Sequence, residues 1–263
     1  MQQRAFGSSN EIQDGLVSVI TPAFNAARFI RQTIESVRAQ IYPRWEMIIA
    51  DDCSRDNTCE IVESLARQDG RIRLIRLANN HGPALARNCA LGAAKGRYIA
   101  FLDSDDLWLP EKLEHQVAFM KERDVAFSYT QYRLMSEKGD KVGKLVSCPP
   151  SLNYWGLLKN TAGLGCLTVM IDRKKTGPFK MVNFRPEDFI LWLHLLKFGF
   201  TAYGLQEDLA RYRHVEGSDS SNVWTCAKWT WAIYRRIEQL SAPYAAWCFI
   251  NYAWRAYCKR RTL

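Results

Sequence analysis

The 263-residue chain contains no stretch of about 18 uninterrupted apolar residues, so no segment of it is expected to cross a bilayer. Its opening residues, MQQRAFGSSNEIQDG, lack the apolar centre of a secretory leader. The eight cysteines (positions 53, 59, 89, 148, 166, 226, 248 and 258) form no CxxC pair and no zinc-finger spacing. Several lie in apolar runs, where a reduced thiol behaves as a small hydrophobe, and a reducing, cytosolic compartment is the expectation. There is no internal repeat and no low-complexity segment, which excludes a repeat array. What the chain does have is apolar material: 48% of positions are hydrophobic and nine are Trp. That is too much for a disordered or fibrous chain and enough to bury the core of one domain with appendages.

Acidic residues are scarce at one end. Residues 222–263 hold seven bases (Lys228, Arg235, Arg236, Arg255, Lys259, Arg260, Arg261) and the single acid Glu238, so this segment carries +6 of the formal +9. The net charge therefore describes a basic tail rather than a nucleic-acid surface, and no RNA- or DNA-reading motif is present. Trp224, Trp229, Trp231, Trp247 and Trp254 lie in the same segment. Aromatic bulk flanked by bases suits a helix lying in a lipid interface; packing on the rest of the chain and a homodimer contact are the competing readings.

Leu16 to Ile20 is a short apolar run, after which Ala27, Ile30, Ile34, Val37 and Ile41 recur at helical spacing. This predicts strand, turn and helix, with Asn25 as N-cap. Trp45 to Ala50, Arg71 to Leu77 and Tyr98 to Leu102 read as further strands. Between them lie a helix carrying Ile61, Val62 and Leu65, capped by Asp56 or Asn57, and a helix over Pro83 to Ala94. Such alternation predicts a parallel α/β sheet with right-handed crossovers, whose ligands sit beyond the carboxyl ends of the strands. The polar clusters Thr21 to Asn25, Asp51 to Thr58 and Asp103 to Asp106 all follow strand ends and are expected to converge on one crevice. Beyond Pro110 the pattern predicts a helix through Leu113, Val117 and Met120, a strand over Val125 to Tyr132 and a polar stretch to Pro150. An amphipathic piece at Tyr154 to Leu158, a strand over Cys166 to Ile171, an apolar helix over Pro186 to Phe198 and extended chain over Thr201 to Arg213 complete it.

Three carboxylates crowd into Asp103-Ser104-Asp105-Asp106. Like charges so close raise one another's pKa and are stabilised by a cation; oxygen-only ligation suits Mg²⁺ or Mn²⁺ bound with substrate phosphates. A solvated helix cap is the plainer alternative. In Asp51-Asp52-Cys53-Ser54-Arg55-Asp56-Asn57-Thr58 a carboxylate can accept the imide N–H of uracil, while one acid or amide caps the next helix. Arg87 near a helix start could reach a nucleotide phosphate, though a surface Arg is the commoner reading; His81 reads as a loop residue.

Together, Val17-Ser-Val-Ile-Thr-Pro-Ala-Phe-Asn25, the block Asp51 to Thr58, Gly82 through Arg87-Asn88, Lys95-Gly-Arg-Tyr-Ile-Ala-Phe-Leu-Asp-Ser-Asp-Asp106 and Pro186-Glu-Asp188 resemble the inverting family 2 glycosyltransferases. The resemblance covers roughly residues 16 to 215. It implies a GT-A fold: a Rossmann-like, mixed but mainly parallel α/β sheet flanked by helices, here with a C-terminal helical extension. Residues 1–15 would be an N-terminal extension, 16–110 a nucleotide-sugar-binding half, 111–221 an acceptor-binding half and 222–263 the basic aromatic tail.

The donor implied is a UDP-sugar, held by Pro22, Phe24, Asn25, Asp51, Asp52, Ser54, Arg87, Asp103, Ser104 and Asp105. Phe24 would pack on the base, Asp52 and Asp51 would bind uracil, Asp103 would face the ribose or donor sugar, and Asp105 or Asp106 would hold the metal. Asp188 opens an otherwise apolar helix, where partial desolvation should raise its pKa toward that of a useful base, and the resemblance gives it that role, with Glu187 as its neighbour or acceptor clamp. Two acids at a helix N-terminus are the structural alternative. The sequence departs from the family pattern twice: Ile190 stands where many members carry an acid, and His214, a metal or phosphate contact or a loop residue, follows Tyr212-Arg213 directly. Gly163, Gly165, Cys166 and Thr168 fall where the family lines its acceptor pocket.

The implied activity is metal-dependent inverting transfer to a glycan hydroxyl, with a polyprenyl-diphosphate-linked acceptor expected at the inner face of the plasma membrane, in O-antigen, capsule or exopolysaccharide assembly. Two rival classes remain: a nucleotidyltransferase-like NDP-sugar enzyme, which would want a Gly-rich, basic first loop, and a non-catalytic UDP-sugar-binding module, which would have lost the acid cluster or the base.

Overall fold

The first strand is longer than its apolar run: β1 covers Gln13–Ala23, so the sheet takes up the last residues of the expected N-terminal extension. The computed structural model describes residues 12–159, 164–215 and 223–260. After β1 come α1 (Ile30–Arg38), β2 (Trp45–Asp51), α2 (Thr58–Ala66), β3 (Ile72–Arg76), α3 (Pro83–Ala93) and β4 (Gly96–Phe101). These four strands are parallel, with Val17 opposite both Trp45 and Tyr98 and Ile20 opposite both Ile48 and Phe101. β1 is covered on both faces, which is why Val17 to Ala23 is one unbroken buried run rather than an alternation.

The second half adds β5 (Leu107–Trp108), α4 (Lys112–Glu122), β6 (Phe127–Met135), β7 (Val142–Val146), β8 (Ser151–Leu152), α5 (Tyr154–Lys159), β9 (Met170–Asp172), α6 (Arg173–Thr176), α7 (Glu187–Lys197) and β10 (Ala202–Arg213). The sheet order is β3-β2-β1-β4-β9-β6-β10-β5, with β7 paired to β6 and β8 to β10. β9 is antiparallel to both β4 and β6 and joins a parallel four-stranded half to the β6–β10 pair, which is itself parallel. Helices α1, α2 and α4 cover one face through Ile30, Ile34, Val62, Leu65, Leu113 and Val117. The other face carries α3, α5 and α7, a π turn over Ile233–Ile237 that follows α8 (Val223–Ala232), and the inner side of α9 (Ala242–Arg260).

Three expectations change. Asn25 caps no helix: α1 begins at Ile30, and Asn25 sits at φ +49° in the loop before it. The expected strand over Cys166 to Ile171 is a 3₁₀ turn at Cys166–Thr168 followed by β9, because the amide and hydroxyl of Thr168 both return to the Gly165 carbonyl. The polar stretch before Pro150 contains β7, a short, largely exposed strand that pairs antiparallel with β6.

α7 is fixed to the sheet by Trp192, which is 1% exposed and meets Phe101 at 5.5 Å and Phe127 at 5.3 Å between ring centroids. Trp192→Ala is expected to lower unfolding free energy by about 3–5 kcal/mol, measured by urea denaturation. A loss below about 1 kcal/mol would show that α7 does not depend on this packing.

Candidate active site

Four strands end on the same side, and their loops are fastened to one another before any ligand is considered. The Asn25 amide donates to Ser54 Oγ and the Arg55 amide donates to Asn25 Oδ1, both at 2.8 Å. The Ala26 amide donates to Thr58 Oγ1 and the Ala27 amide to Asp56 Oδ2. Asp51, 2% exposed, closes its own turn by accepting from the Ser54 amide and hydroxyl. Asp52 accepts from the amides of His81 at 2.9 Å and Gly82 at 2.7 Å, tying in the loop that precedes α3. Gly82 lies at φ +87°, where a side chain would be strained.

Beyond these ends lies a cleft of about 750 Å³ whose walls include Pro22, Phe24, Asp52, Arg87, Asp103, Ser104, Asp105, Glu187 and Asp188. Residues from three sequence-distant clusters therefore share one space. Phe24 is 49% exposed and presents a ring at one end. Asn25, Asp51 and Ser54 are absent from the walls; as the bonds above show, they build the loops that carry Phe24 and Asp52.

The centre of the site is Arg87 on α3. Its Nη1 donates to Glu187 and its Nη2 to Asp103, and its side chain is 7% exposed. Burial alone would lower the guanidinium pKa, but Asp103 and Glu187 hold it well above the ordinary value. Arg87, expected to contact phosphate, lines the cleft and at the same time tethers the end of β4 to the start of α7. Glu187, expected as the neighbour of Asp188 or an acceptor clamp, lies on the cleft wall with its side chain 8% exposed and paired to Arg87. The neighbouring Asn88 secures the loop before α7 by exchanging two hydrogen bonds with the backbone of Met181.

The acid cluster divides by environment. Asp105 is half-buried at the cleft, and burial, then the nearby Asp103, pushes its carboxyl up to about 6. Asp106 is 1% exposed and lies off the cleft; its Oδ1 accepts from the Arg213 amide and its Oδ2 has no partner. Burial, then Asp105 and Asp103, raises Asp106 far above the usual carboxylate range. Of the two expected metal ligands in this cluster, only Asp105 reaches the ligand space. Asp188 lines the cleft from the first turn of α7, and burial followed by Glu187 pushes it up to about 6. His214, the other expected ligand, has an exposed side chain past the end of β10, donates its amide to the Met135 carbonyl and is not among the cleft residues. Ile190 is 6% exposed in the core of α7. Gly165 and Cys166 line the cleft and Thr168 is buried behind them; Gly163 lies outside the described residues.

Arg213 has a role that no sequence motif signals. Its Nε donates to the Asp105 carbonyl, Nη1 to the Glu137 carbonyl and Nη2 to Gln32 Oε1, so one buried guanidinium joins the acid loop to the β6–β7 hairpin and α1. Trp229 of α8 and Tyr252 of α9 also line the cleft, which makes part of the tail a wall of the site.

The family 2 glycosyl transferase model matches residues 18–168, and the chain belongs to that family: it is a glycosyltransferase with the GT-A fold. TuaG of Bacillus subtilis, a glycosyltransferase assigned to teichuronic acid biosynthesis, is 53% identical over 93% of this chain and 97% of its own. WfgD of Escherichia coli, a UDP-Glc:α-D-GlcNAc-diphosphoundecaprenol β-1,3-glucosyltransferase, is 41% identical over 84% of this chain and 86% of its own. Among solved structures, Staphylococcus aureus TarS residues 1–349 with UDP-GlcNAc aligns with a TM-score of 0.69 and 21% identity over 89% of this chain and 70% of that one. A mannosyltransferase from Pyrobaculum calidifontis, solved with GDP-Man and Mn²⁺, aligns at 0.65 and 16% identity over 96% of this chain and 73% of that one.

Arg87→Met removes the partner of the buried Glu187 and leaves it facing Asp103 across the gap. The expected loss is about 3–5 kcal/mol of unfolding free energy by urea titration, and Arg87→Lys is expected to restore only part of it because the bridge uses two arms of a planar fork. Full stability in Arg87→Met would refute the tether.

Proposed function

We propose that this glycosyltransferase moves a sugar with inversion from a UDP-sugar to a hydroxyl of a glycan carried on a polyprenyl diphosphate, at the inner face of the plasma membrane, during assembly of a bacterial surface polysaccharide. The observation that carries the reading is that Asp188, Asp105 and Asp103 face one cleft that also holds Phe24 and Asp52. The lipid-linked acceptor is supported by the activity of WfgD, a diphosphoundecaprenol-linked glucosyltransferase whose chain matches this one over most of its length.

In this reading Phe24 stacks on the uracil and Asp52, already fixed by two amides, accepts the imide N–H with a remaining lone pair. The acceptor hydroxyl lies against Asp188, which takes its proton as the hydroxyl oxygen bonds to the anomeric carbon. The bond from that carbon to the diphosphate oxygen breaks on the opposite side, so UDP departs and the configuration inverts. A base poised near 6 is ionised at neutral pH and still basic enough to accept the proton. Arg87 keeps Glu187, and with it the first turn of α7, in place beside the donor.

The donor set fits a divalent cation. Among the described residues no three His, Cys, Asp or Glu side chains form a metal cage, but a Mg²⁺ or Mn²⁺ that takes one or two carboxylates and completes its shell with diphosphate oxygens needs none. Asp105 would hold it, with Asp103 beside it, and the bound ion would offset charge on the leaving diphosphate. The rival readings have less support: the first loop, Thr21 to Asn25, has neither glycine nor a base for a triphosphate, and both Asp188 and the acid cluster are retained.

For the wild type, kcat/KM is expected to rise with pH through about 6 and then level, as Asp188 loses its proton. Asp188→Asn is expected to reduce transfer on the order of 10²–10⁴-fold while leaving the thermal protection by UDP with Mn²⁺ intact; near-normal turnover would refute the base assignment. Asp105→Asn is expected to abolish the cation-dependent part of that protection in a thermal-shift titration. An unchanged cation response would remove Asp105 from the metal site.

A further inference from the structure

An acceptor on a polyprenyl diphosphate has its headgroup at a lipid surface, which the cleft must meet. On α9, Pro243, Trp247, Ile250 and Trp254 recur at steps of four and three residues, which puts them on one face of the helix. Trp247, Ile250 and Trp254 are 48%, 67% and 67% exposed. The opposite face packs through Ala245 and Cys248, both fully buried, and reaches the cleft at Tyr252. A helix that is apolar on its buried side and again on its exposed side needs a second neighbour.

The apolar surface extends beyond one helix. On α8, Trp224 and Trp231 point outward with Lys228 between them, and Trp231 meets Phe249 of α9 edge-on at 5.7 Å. On the other side, Trp155 of α5 is 56% exposed and joins Trp247 through Tyr244, with centroid distances of 5.9 Å and 5.7 Å. The cations accompany the rings: Lys159 Nζ lies 5.0 Å over Trp247, and Lys228, Arg235 and Arg236 are exposed. Neither α8 nor α9 contains an acid. Among the described residues no helix is long and apolar enough to cross a membrane.

We propose that this face of α5, α8 and α9 is the docking surface for an anionic phospholipid leaflet. Interfacial Trp with flanking Lys and Arg matches the chemistry of that surface: rings at headgroup depth and cations toward the phosphates. Position adds a reason for it. The helices that carry the outward Trp also supply Cys226, Trp229, Thr230 and Tyr252 to the cleft, so a leaflet seated on them lies beside the acceptor end of the site. The inference rests on the lipid-linked acceptor for its purpose, though not for its geometry.

The test is sedimentation of the purified full chain with vesicles of phosphatidylglycerol and phosphatidylethanolamine, against phosphatidylcholine alone. Binding to the anionic vesicles, weakened by salt and accompanied by a blue shift of Trp emission, is expected. The triple variant Trp247→Ser, Ile250→Ser, Trp254→Ser is expected to lower partitioning at least tenfold while keeping the wild-type melting temperature and UDP response, since all three side chains are exposed. Absence of wild-type binding, or binding unchanged in the triple variant, would overturn the proposal. So would a wild-type dimer in sedimentation velocity that the triple variant breaks, with no vesicle binding by either, because a second copy would then cover the face. Transfer assays separate the two readings: vesicle binding without transfer to a lipid diphosphate supports docking and defeats the acceptor assignment, whereas transfer to vesicle-borne acceptor that is equal in the triple variant overturns the docking surface alone.

Discussion

The site depends on one buried guanidinium. Arg87 stands between Asp103, which follows the end of β4, and Glu187, at the start of the helix that carries Asp188. Without it, two carboxylates would face each other in a poorly solvated gap and push the halves apart. With it, the acid loop and the first turn of α7 are held at a fixed separation across the cleft. A buried ion pair of this kind adds little net stability over an apolar contact, but it fixes register, which is what two reacting groups on different elements require.

The charge balance around the cleft adds a second constraint. Asp103, Asp105, Asp106, Glu187 and Asp188 are five carboxyls, and Arg87 and Arg213 are the two guanidiniums bonded to their side chains or loop. Burial first, and then neighbouring negative charge, raises the carboxyls of Asp105 and Asp188, and the excess charge attracts a compensating cation. A divalent ion is one way to relieve it. Protonation is the other, and at Asp106, sealed from the cleft, burial followed by Asp105 and Asp103 shifts the carboxyl in that direction.

Much of this was legible in the sequence because the first half of the chain obeys simple rules. Strand periodicity placed β1 to β4 within a few residues, and the rule that ligands sit beyond parallel strand ends brought Phe24, Asp52 and Asp103 to one crevice. What sequence could not separate was a side chain that faces ligand from one that builds the loop. Asp51 and Asp52 are adjacent, yet one closes its own turn and the other lines the cleft; Asp105 and Asp106 divide in the same way. Consecutive residues leaving a strand point in opposite directions, and only tertiary contacts decide which direction is outward. Arg87 and Arg213 escaped for a related reason: their carboxylate and carbonyl partners lie 16 to 181 residues away.

Whether one cleft organised by Arg87 seats the donor between the acid loop and Asp188 would be decided by a crystal structure of this chain grown with UDP and Mn²⁺. The base is expected against Phe24 and Asp52, the diphosphate and cation at Asp105, and an open path from the β-phosphate to Asp188. Nucleotide density elsewhere on the molecule, or in this cleft with the diphosphate directed away from Asp105 and Asp188, would contradict it.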